Sequence, residues 1–513
     1  MDEATLHLAE RPTAKSVGRS VPAWPLEPGS FMPVDLNESI RGEHRGEDRD
    51  RGDNGRPARK VLVIASRFPP VASVGAIRVR KFVKYLPQFN WKPVVITGAA
   101  RSARISRHDA RRAADPLSLN EIPADIPVHR LSPIPDNWPG FASRSMSGFL
   151  AGITGRIGAD ETWWRGVLKW RIEKLHDKLT FPDRGIWRLP SAVRLARRLH
   201  REHRFDAVFS TGMPFSDHLI GLAVSSMIRK PWIADFRDPW VEYIHWRQWE
   251  HGLGRALTKW SESAVISQAA AVISVNDHMT RRFKDRYAAH VRKFNTIENG
   301  YDPDDFASTA DQPPGKRFRL LHAGSLYETR SPMNLLAAWR RFITDTPGAA
   351  EHAQLEFAGR AGVFRDELTN PADRGTIVYH GVLPHAEALA AMSSADVNLI
   401  MLPDLPGSEG DTTAKMYECI GAGRAILATV PRSGAAAAEL GRHDGVWLVS
   451  PKDIDGIHRA ICDLYRRWLS GTLQVRRAKD LLNSVTRRCQ SEQLAEWFNR
   501  VAPRRGIRRE VVS

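Results

Sequence analysis

Cysteine is scarce in this chain: three in 513 residues (Cys419, Cys462, Cys489), with no CxxC and no Cys/His spacing suited to zinc. That argues against a disulfide-stapled secreted scaffold and against a structural zinc module, and it favours a reduced, cytoplasmic setting. The 18 histidines form no HExxH-type cluster, so no metal is expected. No run approaches about eighteen uncharged apolar residues, so neither a transmembrane helix nor a signal peptide is expected. A GxGxxG is missing, which argues against a dehydrogenase-type dinucleotide site. Helix-turn-helix, RNP and zinc-finger patterns are missing too, although the pI is near 10.

What is present is length, apolar content and positive charge. A chain of 513 residues with 42% hydrophobic content suggests two domains plus a tail. Residues 1–59 lack apolar periodicity and include RGEHRGEDRDRGDNGRPAR, so they read as a disordered tail. The tail holds nine Lys/Arg against eleven Asp/Glu, so the chain's net +17 sits entirely in the remainder, at about +19. Such a charge suits an anionic partner: a phosphorylated substrate, a membrane surface or nucleic acid.

From Lys60 onward, buried strands alternate with helical patterns. KVLVIAS, PVVITG, VHRLS, DAVFST, PWIADF, AAVISV and KFNTIENG form one series; RLLHAGS, LEFAGR, TIVYHGV, VNLIML, AILATV and GVWLVS form a second. The alternation predicts an α/β protein of two Rossmann-like, doubly wound parallel sheets facing across a cleft. The expected divisions are 60–310, 311–480 and a closing segment, 481–513, whose helix crosses back to the first domain. The Pro/Gly-rich DQPPGKR serves as the interdomain link.

The richest stretch for chemistry is GSEGDTTAKMYECIGAGRAILATV, from Gly407 to Val430. A polar loop leads into a helix carrying Lys415 and Glu418, three residues apart and so on one face. A cation beside a carboxylate there suits a diphosphate next to a ribose diol, or else forms a plain surface ion pair. In HAGSLYETRSP, Gly324 lets backbone approach phosphate and Arg330 can grip oxygen bidentately. DFRDPW ends a strand with Asp235, Arg237 and Asp238 within four residues; they pair with one another or meet substrate. His218, in GMPFSDH, opens the following helix and is either structural or directed into the cleft. Gly75, in RFPPVASVGAIR, is either a turn glycine or a close contact.

These motifs, in this order over roughly Lys60 to Leu469, resemble family 4 glycosyltransferases of the GT-B fold, of the bacterial surface-polysaccharide type. The resemblance implies a retaining enzyme in which Glu418 binds the donor ribose. Arg330 and Lys415 would hold the diphosphate, and Gly381, Val382 and Leu383 in HGVLP would meet the base. Glu409, Asp411 and Thr412 would lie near the sugar, with Gly75 and Arg237 on the acceptor side. Asp235, Asp238 and His218 are the catalytic candidates. The family's earlier glutamate would fall at Gly410, which departs from the pattern, and Ser325 stands where family members commonly carry arginine. A nucleoside-diphosphate sugar is then a co-substrate, no cofactor or metal is needed, and the acceptor is a glycan or a lipid-linked one.

The stretch from Trp138 to Arg204 carries fourteen Lys/Arg against six Asp/Glu, with tryptophans at 163, 164, 170 and 187. Its helical pattern over Glu161 to Phe181 suits an anionic bilayer or a helix with a solvated basic face. The expected location is therefore cytoplasmic, peripheral on the inner face of the cell membrane. Two rivals remain: a sugar-nucleotide epimerase, separable by NMR because it needs no acceptor, and a nucleic-acid-binding protein, separable by gel shift at physiological salt. No nucleic-acid partner is expected.

Overall fold

The computed structural model describes residues 57–71, 74–98, 119–131, 180–242, 252–307 and 316–503. The expected N-terminal tail (apart from residues 57–59) and nearly all of the basic 161–181 helix lie outside the described residues.

Among the described residues, thirteen strands form two parallel sheets. The seven-stranded sheet comprises β1 (Arg59–Ile64), β2 (Trp91–Gly98), β3 (Val128–Leu131), β4 (Ala207–Gly212), β5 (Trp232–Phe236), β6 (Ala271–Ser274) and β7 (Phe294–Thr296), in spatial order β3-β2-β1-β4-β5-β6-β7. The six-stranded sheet comprises β8 (Phe318–Ala323), β9 (Ala353–Ala358), β10 (Ile377–Gly381), β11 (Val397–Met401), β12 (Ala425–Thr429) and β13 (Val446–Val449), in order β10-β9-β8-β11-β12-β13. Both are doubly wound, and strand order reverses between β1 and β4 and again between β8 and β11. Crevices at such switch points, beyond the carboxyl ends of the strands, are where ligands bind in open α/β sheets.

The strands read as continuous apolar runs because both faces are covered. In β1, Val61 and Val63 join one core while Leu62 and Ile64 join the other. In the second sheet, Leu320 faces the core under the Met333–Asp345 helix, and Leu321 faces the one containing Met416 and Ile420. The final helix, Arg487–Val501, packs on the first sheet. Its Leu494, Ala495 and Phe498 join the core of Val61 and Phe209, and Phe498 lies 4.9 Å from the Trp91 ring. The chain returns beside its outward crossing: the Tyr301 N–H donates to Val485 O at 3.1 Å, and the Arg487 N–H donates to Tyr301 O at 2.8 Å.

The sheets also touch at their working ends. Asn276 caps the Asp277–Arg286 helix by accepting the Met279 N–H. Its amide then donates to Gly410 O at 2.9 Å and to Thr412 Oγ1 at 3.4 Å. A side chain at 410 would place Cβ 2.9 Å from His278 Cδ2. A side chain at 410 would thus crowd His278, on a helix of the first sheet's half.

Candidate active site

The Ala414–Gly421 helix, which follows β11, places Lys415 and Glu418 on one face, with Lys415 Nζ 3.9 Å from Glu418 Oε2. Glu418 is largely buried, and its Oε1 meets His385 Nε2 at 3.0 Å. Burial opposes ionisation of Glu418, but the His385 hydrogen bond and Lys415 outweigh it and hold the carboxyl below the usual range. Burial likewise favours neutral His385, and Glu418 overrides it, raising the imidazole above its ordinary value. Glu418 Oε2 keeps no hydrogen-bond partner.

Arg330 leaves the β8 loop half-buried, 5.8 Å from the Tyr327 ring. Burial lowers its pKa, with Tyr327 and Asp411 acting in the other direction, and its Nε has no partner. Beside it a pocket of about 120 Å³ opens between Thr329, Asn334, Asp404, Thr429 and Lys452. Arg330 and Lys415 both depress the pKa of buried His322, which ties them to one end of the sheet. Two cations, a carboxylate oxygen without a hydrogen bond and an unsatisfied guanidinium N–H are groups that a diphosphate and a diol would complete.

The other residues expected on this side are placed as follows. Gly324 follows β8, and its N–H donates to Ala358 O at 2.8 Å. Gly381 takes φ +71°, a left-handed conformation suited to glycine, and its carbonyl accepts the Gly359 N–H at 2.7 Å. Val382 is 56% exposed, whereas Leu383 packs on the core of Met416. Glu409 is half-buried with its carbonyl accepting the Ala435 N–H; Asp411 bonds back to Ser408 O; Thr412 meets Asn276 across the cleft.

The first sheet corrects three expectations. Asp235 does not pair within DFRDPW. It is fully buried against Arg78, 2.9 Å from Nη2, and accepts from Thr211 Oγ1 at 2.8 Å. Arg78 also donates to the carbonyls of Ile297 and Glu298, so this carboxylate is committed inside the fold. His218 does not reach the cleft either: it is fully buried, bonds Ser210 Oγ through Nδ1 at 2.9 Å, and stacks 4.4 Å from Phe236. Burial pushes its pKa down to about 3. Gly75 and Arg237 do meet, but as packing: a Cβ on Gly75 would overlap Arg237 Nη1, while Arg237 donates to the carbonyls of Gly212 and Met213. Asp238 is half-buried within the field of Arg237.

Sequence reasoning missed His385, Arg78, Asn276 and His322. Only His385 carried a signal, as the first residue after the HGVLP turn; the others read as ordinary helix or strand positions. Among the described residues, Glu121, Asp302 and Asp305 form an acidic trio, but Lys81 Nζ sits 2.5–2.7 Å from a carboxylate oxygen of each. The ammonium already occupies the place a cation would take.

Several solved structures share this architecture. The glycosyltransferase from Rickettsia africae ESF-5 aligns with a TM-score of 0.56 at 11% identity, covering 87% of this chain and 99% of that one. The UDP-forming α,α-trehalose-phosphate synthase from Burkholderia xenovorans, solved with glucose-6-phosphate, aligns at 0.54 and 13%, covering 86% and 100%. Anabaena HepE, solved with UDP and glucose, aligns at 0.53 and 13%, covering 86% and 99%. No curated protein matches. Two facing, doubly wound sheets of this kind define a GT-B glycosyltransferase fold. Residues 160–305 match the model for Glycosyltransferase Family 4.

Proposed function

We propose that the chain moves a sugar, with retention of configuration, from a nucleoside-diphosphate donor to an acceptor hydroxyl in surface-polysaccharide or glycolipid synthesis. The observation that carries this reading is the set of unsatisfied groups at the end of the second sheet: Arg330 Nε and Glu418 Oε2, with Lys415 beside them. Arg330 and Lys415 hold the diphosphate as it gathers charge, and Glu418, ionised through His385, takes the ribose diol. The acceptor oxygen bonds to the anomeric carbon on the face the diphosphate leaves, and its proton passes to a donor phosphate oxygen. Cationic side chains serve where other enzymes use a metal, so a chelator leaves turnover unchanged. Anabaena HepE was solved with UDP-glucose, which makes that the first donor to try.

The test is a thermal-shift screen of nucleotide sugars, since a bound donor raises the melting temperature by mass action. Arg330→Ala and Lys415→Ala should weaken the nucleoside diphosphate far more than the bare nucleoside. Equal loss of both sinks the phosphate assignment. Product formation that needs no acceptor, followed by NMR, would instead identify an epimerase.

We also place the enzyme on the inner membrane face with a lipid-linked acceptor. Among the described residues no helix is long and apolar enough to cross a membrane. The reading rests on the basic, tryptophan-bearing 161–181 sequence, where each Lys/Arg near anionic lipid contributes about 1 kcal/mol. Changing Arg165, Lys169, Arg171 and Lys174 to glutamine should abolish sedimentation with anionic vesicles while donor affinity survives. Equal sedimentation refutes the placement.

A further inference from the structure

Three helices cover one face of the seven-stranded sheet: Leu189–His203, Ser216–Ile228 and Gly252–Gln268. Ala192, Ala196 and Leu199 of the first, Ile220 and Val224 of the second, and Val265 and Ile266 of the third enter one core. The Ser216–Ile228 helix packs between its two neighbours. The outward side of the first helix carries Arg194, Arg197, Arg198 and Arg201, all exposed, at spacings of three and four that bring like charges together. Among the described residues, the one ion pair any of them makes is Arg198 Nε to Glu202, at 3.9 Å. The other face of the sheet handles its cations differently. There the Val74–Tyr85 helix carries Arg78, Arg80, Lys81 and Lys84, and each is paired with a carboxylate.

Apolar side chains continue this basic surface. On the Gly252–Gln268 helix, Leu253, Leu257 and Trp260 form one stripe at i, i+4 and i+7, exposed by 76%, 36% and 68%. Arg255 and Lys259 are exposed beside it, and the helix's one acid, Glu262, is buried. Trp187, in the short helical turn that leads into the arginine helix, is 48% exposed. Between them the Ser216–Ile228 helix holds Leu219, Leu222, Ala223 and Met227 half-buried and shows no exposed charge before Arg229. Large apolar side chains grouped in water mark a surface that something covers. A dissolved polyanion would satisfy the arginines and leave the leucines and tryptophans wet. A second copy across a two-fold axis would set arginines against arginines.

We propose that this three-helix face seats on an anionic bilayer. The four arginines meet lipid phosphates, which a guanidinium can grip with two N–H groups. Trp187, Leu253, Leu257 and Trp260 enter the boundary between headgroups and acyl chains. Packed helices lie about 8–10 Å apart, so the face spans several headgroups. The inference rests on the membrane placement proposed above and adds to it a folded surface that does not include the 161–181 sequence.

The test is sedimentation of the full chain with vesicles of phosphatidylcholine, alone or mixed with phosphatidylglycerol. One variant changes Arg194, Arg197, Arg198 and Arg201 to glutamine; a second combines Leu253→Ser with Trp260→Ser. All six side chains are exposed, so the melting temperature should hold in both and serves as the control for folding. The glutamine variant should lose roughly a hundredfold in partition to the mixed vesicles, and the remainder should weaken less with added salt. The serine variant should lose roughly tenfold and keep the salt dependence of wild type. Unchanged partition of the glutamine variant overturns the inference, whatever else covers the face. An unchanged serine variant overturns it too, since the contact is then purely electrostatic. So does a lipid-free dimer that the serine variant turns into monomer, because a second copy then owns the face. If the Arg165, Lys169, Arg171 and Lys174 variant loses binding while both of these keep it, the placement stands and this inference alone falls. If wild-type protein ignores the mixed vesicles, the placement falls first and the inference with it.

Discussion

The two sheets share one winding but differ in how the charged groups at their strand ends are held. At the ends of the first-sheet strands, Asp235 is held by Arg78 and Thr211, His218 by Ser210 and an aromatic stack, and Arg237 by two carbonyls. At the end of the second, Arg330 Nε and Glu418 Oε2 are buried without a hydrogen-bond partner, and a ring nitrogen lacks one in each sheet, His218 Nε2 and His322 Nε2. Unpaired buried polar atoms cost free energy. A guanidinium N–H and a carboxylate oxygen left unsatisfied at one sheet end are groups that a ligand can complete. The charges of the first sheet are satisfied within the fold; on the function proposed above, those of the second are completed by a ligand.

The largest test of that contrast is Asp235→Ala. It strands the buried Arg78 charge and should cost about 3–5 kcal/mol of stability, read by denaturant unfolding. A change below about 1 kcal/mol would dissolve the distinction between the sheets. Glu418→Gln should do the reverse, leaving stability nearly intact while costing roughly 1.5–3 kcal/mol of nucleoside-diphosphate affinity. Calorimetry showing unchanged affinity would make Glu418 merely structural.

Gly410→Ala sharpens the comparison where the sheets meet. Its methyl would press on His278 and should cost about 1–2 kcal/mol, as overpacking does. His278→Ala in the same chain should restore the melting temperature. The smallest effect concerns the His385–Glu418 pair, below about 1 kcal/mol for a part-exposed histidine. Because the folded-state pKa of His385 is raised, its contribution is fully present below the unfolded value near 6.5 and fades as pH climbs through the folded one. The stability difference between wild type and His385→Asn should therefore shrink from pH 6 to pH 8. A gap that widens instead reverses the assigned direction.

The fold was legible because its signals are local. Thirteen apolar runs bounded by turn residues correspond to the thirteen strands among the described residues, and the alternation with helices leaves few topologies open. Lys415, Glu418 and Arg330 were legible as candidates through the order of the motifs that carry the resemblance; on residue type alone Lys415 and Glu418 read equally as a surface ion pair. Asp235 misled because its partner, Arg78, lies 157 positions upstream inside an ordinary basic helix, where nothing in the sequence links the two. His322 was invisible for a different reason: an orphaned nitrogen is a property of its surroundings, not of its residue. Gly410 read only as a lapse in a pattern, and its nearness to His278 was not visible in the sequence.

The returning helix has a consequence for synthesis. Trp91 in β2 donates to Asn499 across 408 positions of sequence, and Phe498 seals the same core. During translation the second sheet is therefore complete before the last wall of the first is made. The first sheet must wait on the ribosome with the apolar patch around Val61, Trp91 and Phe209 uncovered, while the later-made half is free to close. Order of manufacture and order of completion run in opposite directions along this chain, and removing the Arg487–Val501 helix injures the half that was made first.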